Sequence, residues 1–210
     1  MPDVHVPKLD AHGTSGHSIF KIVLEVVLIG TGVFLGLAGE QWREARHQRE
    51  LAEQALRRFR TEIVANRKAV ESVREYHENL FKQLNILKDL PPAKRDTVHV
   101  EFKGVRPANF NHAAWDLALA TQSLTYMDPD LAYSLSEIYN VQDQMNGLRG
   151  GFTQAMYNAP PAVGKNEEAF FGAVLLYYGD MTLFEPRMVE LYDAILLRID
   201  KALGEKTPGR

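Results

Sequence analysis

Seven histidines, at positions 5, 12, 17, 47, 77, 99 and 112, are the first residues to examine for chemistry, because imidazole can ligate a metal or carry a proton near neutral pH. No two have the spacing of an HExxH helix or a comparable ligand pattern, and His5, His12 and His17 lie in an N-terminal tail without fixed geometry. The absence of cysteine excludes disulfides, thiolate nucleophiles and cysteine zinc sites. Gly147-Leu148-Arg149-Gly150-Gly151 lacks the lysine and spacing of a phosphate-binding loop, and Ser123 and Ser134 lack the flanking glycines of a nucleophile elbow. Asp128 with Asp130, and Glu167 with Glu168, are paired carboxylates, yet each pair stands where a helix begins and capping accounts for it. The aromatic row Phe170, Phe171, Tyr177 and Tyr178 reads as core rather than as a ligand cage. No catalytic set, metal site or cofactor is expected. A net charge of −3 also gives no overall reason to expect nucleic-acid binding.

The elements that must position any site lie in a chain of 210 residues, 45% hydrophobic and 24% charged, which suits one ordered domain plus an appendage. The appendage is apolar. Ile22 to Gly39 reads IVLEVVLIGTGVFLGLAG, about 27 Å of helix against a hydrocarbon core of about 30 Å. Its one charge, Glu25, stands in the first turn, within reach of the headgroups or of Lys21. Trp42 follows by a turn, where an indole suits the membrane interface. A secretory signal would also be N-terminal, and Gly36-Leu37-Ala38 supplies a small-x-small site, but Glu25 and the balanced charges before it favour an uncleaved anchor. Gly32 and Gly36 have the small-xxx-small spacing that lets two membrane helices approach.

Between Glu40 and Leu90 neither glycine nor proline occurs, so one long helix of about 75 Å is expected to end at Pro91-Pro92. Leu56, Ile63, Val70, His77 and Leu84 recur every seven residues, with Phe59, Asn66, Val73, Leu80 and Leu87 three later, the pattern of a coiled coil or a long bundle helix. His77 and Asn66 break an otherwise apolar seam as tolerated polar residues, the sharper readings being a pH switch or a register-setting layer. Gln41 to Lys68 holds eight Arg/Lys and four Asp/Glu, a surplus that anionic headgroups would attract. Lys and Arg are also more frequent after the apolar run than before it, which favours a cytoplasmic C-terminal domain.

Beyond the prolines, Val98, Val100 and Phe102 alternate with polar residues, as in one half-buried strand or an extended flap within Thr97–Lys103. A short helix follows, with Asn111 as its cap. Asp128-Pro129-Asp130 is the clearest helix start, and Gly147 and Gly150-Gly151 are expected to interrupt what it begins, leaving a further short helix around Phe152–Tyr157. Asn166-Glu167-Glu168 opens another helix, whose Ala169–Tyr178 is apolar all round and expected to be buried. Glu185-Pro186 begins the last, which Gly204 stops.

Glu25, an apolar run with Gly30 and Gly32, and then Gln41-Trp42-Arg43-Glu44 with Arg46 opening onto a long charged helix resemble a family of uncharacterised bacterial single-pass membrane proteins. Ala114-Trp115-Asp116, Thr121-Gln122-Ser123-Leu124 and Asp128-Pro129-Asp130-Leu131 are similar to that family's distal pattern. The resemblance implies a bitopic inner-membrane protein and carries no activity, cofactor or catalytic residue. The expected architecture is therefore all-α: a tail (1–21), a transmembrane helix (22–39), a helical stalk (40–90), a linker with a short extended segment (91–107), a helical domain (108–204) and a C-terminal tail (205–210). The expected function is non-enzymatic interaction or sensing, with the lipid bilayer and a second copy of the chain as partners. The rival expectation is an enzyme or small-molecule-binding module, with a pocket between the distal helices around Trp115 and Tyr139.

Overall fold

Among the described residues no strand ladder forms. The computed structural model describes residues 15–95, 97–158 and 167–204, and all regular structure among them is helical. In chain order the elements are α1 (Ser15–Asp89), α2 (Pro92–Arg95), α3 (Ala113–Ala120), a 3-10 turn (Ser123–Tyr126), α4 (Pro129–Asn158) and α5 (Glu167–Leu203). The all-α class and the stop before Pro91-Pro92 are as the sequence predicts. α1 starts at Ser15, inside the expected tail. Residues 1–14, with His5 and His12, and 205–210 lie outside the described residues, as do Asn166 and Pro160-Pro161.

The chain divides into two units, Met1–His47 and Gln48–Arg210. In the second, the seven-residue pattern of α1 marks the buried face: Leu56, Phe59, Ile63, Val70, Leu80 and Leu84 are all in the core. Each such side chain contributes roughly 1.5–3 kcal/mol through loss of contact with water. That face packs within the chain. Arg60 meets Asp200 at 2.7 Å, Arg67 meets Asp193 at 2.7 Å and His77 meets Glu185 at 2.6 Å, so α5 runs antiparallel to α1. Phe152 stacks on Tyr177 and Gln142 bonds Tyr192, so α4 and α5 are also antiparallel. The seam is thus that of a bundle helix, and from Gln48 onward the expected stalk is one unit with the distal helices.

Four local expectations are corrected. Thr97–Lys103 forms no strand; it is the flap, and two of its backbone donors bond side chains of α1, Glu101 N–H to Gln83 Oε1 at 2.9 Å and Lys103 N–H to Tyr76 Oη at 2.9 Å. Gly147, Gly150 and Gly151 do not break α4, which runs unbroken through the expected short helix at Phe152–Tyr157. A helix tolerates each glycine at about 1 kcal/mol when anchors such as Met145 and Phe152 are buried beside it. Pro186 does not start a helix but lies inside α5, where Met181, Met188, Tyr192 and Ile195 are all buried and offset a cost of about 3 kcal/mol. Nor is Ala169–Tyr178 buried all round, for Leu176 is 69% exposed.

Two other helix signals hold. Asp128 Oδ1 accepts the Leu131 N–H at 2.9 Å, and Gly204 takes φ +68° after the last turn of α5, a conformation glycine adopts without strain.

Candidate functional site

In the first unit the apolar stretch of α1 is wholly exposed. Among the described residues one helix is long and apolar enough to cross a membrane, with mean hydropathy 2.2 over its most apolar 18 residues and none of that window buried. Lys21 and Glu25 stand one turn apart near its start, both exposed. Trp42 is 69% exposed, with the Arg46 guanidinium 5.9 Å from its ring centroid. A Cβ added at Gly32 or Gly36 would meet nothing within 4 Å, so neither glycine serves packing inside this chain.

In the second unit the polar residues of the α1 seam act as clamps. His77 and Glu185 are both 0% exposed, with Nδ1 2.6 Å from Oε1 and with His77 Nε2 3.1 Å from the Val105 carbonyl. A carbonyl can only accept, so Nε2 carries a proton. A single further proton between Nδ1 and Oε1 makes the pair net neutral whichever atom holds it. Tyr76 and Tyr178 flank the imidazole at ring distances of 5.5 and 5.3 Å. The Tyr76 hydroxyl donates to the Gly104 carbonyl at 2.7 Å, and Gly104 turns the flap at φ +87°. One imidazole therefore ties α1 to α5 and to the connection before α3. Its burial leaves it no access to a dissolved substrate.

Two more clamps stand on α1. Asn66 holds the backbone of Asn111 from both sides, its Nδ2 donating to the carbonyl at 2.9 Å and its Oδ1 accepting the N–H at 2.7 Å. Glu62 Oε2 accepts the Ala114 N–H at 2.9 Å, and Oε1 accepts the Tyr139 hydroxyl at 2.6 Å. The start of α3 is thus capped across space by Glu62, and not by Asn111; His112 holds the cap position without a side-chain bond to the helix backbone, its Nδ1 lying 3.0 Å from Asp116 Oδ1. Burial, and then the bond to Glu62, raise the Tyr139 hydroxyl well above the usual tyrosine range, so it stays a neutral donor.

Trp115 and Tyr139 do come together, but as packing. Their rings stack at 5.0 Å, with the Phe59 ring 6.4 Å from Trp115 and 5.9 Å from Tyr139. A cleft of about 590 Å³ adjoins them, bounded by Arg57, Arg58, Thr61, Glu62, His112 and Leu117. Sequence reasoning missed Glu62 and Glu185. Both signals are visible in retrospect: Glu185 falls on the apolar row Met181, Met188, Tyr192, and Glu62 stands between Phe59 and Ile63 on theirs. A carboxylate on a buried row needs a partner, and here each has one.

A second cavity, of about 730 Å³, lies between α4 and α5 along Gly147, Gly151 and Ala155 on one side and Ala173, Leu176 and Phe184 on the other. No protein-family profile, curated protein or solved structure matches this chain.

Proposed function

We propose that this chain is a bitopic protein of the bacterial inner membrane, held by Ile22–Gly39, whose second unit is a non-enzymatic interaction or sensing module. The observation that carries the reading is the unbroken apolar stretch, fully exposed, at a mean hydropathy of 2.2. Such a surface is costly in water and suited to lipid. Lys21 and Glu25 at one end and Trp42 at the other match the interfacial positions of a spanning helix. The resemblance to uncharacterised single-pass proteins of bacteria supports the same placement. The Lys and Arg excess after the span favours a cytoplasmic second unit, where basic residues meet anionic headgroups. Arg60 and Arg67 stand apart from that contact, being held by Asp200 and Asp193. Gly32 and Gly36 offer a face to the membrane helix of a second copy.

The test is alkaline carbonate extraction of bacterial membranes, paired with phosphatase and fluorescent-protein fusions at Arg210. The expected result is intact chain in the pellet and fluorescence without phosphatase activity. Release of intact chain to the supernatant overturns the anchor; phosphatase activity overturns the orientation alone.

A further inference from the structure

The cleft of about 590 Å³ between α1 and the start of α3 lies within the size range of small-ligand sites. The two helices run antiparallel along it, since Asn66 holds Asn111 and Glu62 holds Ala114. Its α1 wall runs from Arg57 and Arg58 through Thr61 to Ala65, about two turns or 12 Å. On the α3 side Ala113, Ala114 and Leu117 line it, the last 40% exposed. The cleft is therefore a short trough with apolar side chains on both walls and two arginines at one end of the α1 wall.

Charge decides what such a trough takes. Among the described residues Glu62 is the one carboxylate in its lining, and both its oxygens are already held, by the Ala114 N–H and the Tyr139 hydroxyl. His112 is turned toward two acids, Nδ1 3.0 Å from Asp116 Oδ1 and Nε2 3.7 Å from Asp143 Oδ1. Arg58 differs from its neighbours. Arg43, Arg60, Arg67 and Arg74 of the same helix each meet a carboxylate at 2.7–2.8 Å, whereas Arg58 makes no ion pair with any described residue. Two arginines against one carboxylate leave the lining one positive charge in excess. A monoanion balances it, while a phosphate monoester, at about −2, overshoots and is repelled by Glu62. A carboxylate also suits the planar fork of a guanidinium, which gives it two parallel N–H bonds. An uncharged body behind that carboxylate gains by covering Ala65, Ala113 and Leu117, which removes apolar surface from water. At about 12 Å the trough is shorter than one leaflet of hydrocarbon, about 15 Å, so the body is smaller than the chain of a membrane lipid.

We infer that the α1/α3 cleft binds a small organic monocarboxylate, its carboxylate on Arg58 and its apolar body along Ala65, Ala113 and Leu117. This names a ligand class for the sensing role proposed above and rests on that reading.

The test is isothermal titration calorimetry of 4-phenylbutyrate into the full chain in a neutral detergent, with titration into detergent alone subtracted. Saturable binding of one equivalent per chain is expected. None is expected from acetate, which lacks the body, or from 4-phenylbutylamine, which reverses the charge. Arg58→Glu is expected to weaken binding by at least about tenfold and Leu117→Ser by about fivefold. Arg49→Glu, at an exposed arginine of α1 outside the cleft, is expected to leave it unchanged. All three positions are exposed, so each variant is expected to keep the thermal midpoint of the parent chain. A parent chain without saturable binding overturns the inference. So does an Arg58→Glu chain that binds as the parent does, an equal loss from Arg49→Glu, or acetate or the amine binding as tightly as 4-phenylbutyrate. Tighter binding of phenyl phosphate overturns the choice of a carboxylate. The anchor is read from the same chain by carbonate extraction, so absent binding with intact chain in the pellet removes the ligand alone.

Discussion

Removing the Glu185 carboxylate leaves the His77 Nδ1 in the core without its only partner. Glu185→Ala is therefore expected to cost about 3 kcal/mol, seen as a lower denaturant midpoint with an unchanged slope. The double variant His77→Ala/Glu185→Ala should cost clearly less than the two single changes together, because the second change removes the stranded group. The buried tyrosines make a second prediction. Burial raises the hydroxyls of Tyr139, Tyr178 and Tyr192, and that of Tyr177 is pushed up to about 12 by burial and by the nearby Glu185 carboxyl. A raised folded value means that the folded state holds the proton more tightly. Stability is then fully present below about pH 10, where unfolded tyrosine is still neutral, and falls as pH rises toward the folded values. Thermal melts at pH 9 and pH 11 should show the loss, and Tyr177→Phe should reduce it. At this scale His77 and Asn66 could be read as seam residues from spacing alone. Their partners could not, because Glu185 and Asn111 stand 108 and 45 residues away.

Helix boundaries were readable where a side chain or ring closes off the backbone locally. Asp128 caps α4, Pro91-Pro92 follows the end of α1, and Gly204 ends α5. The signals that misled were Gly147, Gly150-Gly151 and Pro186, each a real local cost outweighed by buried neighbours. Gly150 lies off the cavity between α4 and α5, and a Cβ there meets nothing within 4 Å. Gly150→Ala is accordingly expected to stabilise the bundle by about 1 kcal/mol, measurable as a higher thermal midpoint. The flap teaches the converse. Val98, Val100 and Phe102 alternate as a strand would, but with no ladder partner the backbone N–H groups of Glu101 and Lys103 turn to Gln83 and Tyr76 of α1.

Across the whole molecule, the core lies within Gln48–Arg210 and the exposed apolar stretch within Met1–His47. A chain beginning at Gln48 is expected to be soluble without detergent and to keep the denaturant midpoint of the full chain; aggregation or loss of helicity would show that the preceding residues are needed for folding. What the sequence determined by itself was the helical class, the apolar stretch, and which face of α1 is buried. All three follow from composition and periodicity along a single element, where each residue's spacing dictates its side. Only the tertiary structure decided that the seven-residue seam packs within its own chain, that Glu62 and Glu185 complete clamps begun on that seam, and that Trp115 and Tyr139 stack ring on ring. Those outcomes depend on which faces meet across long stretches of chain, and burial on one helix carries no mark of the partner that causes it.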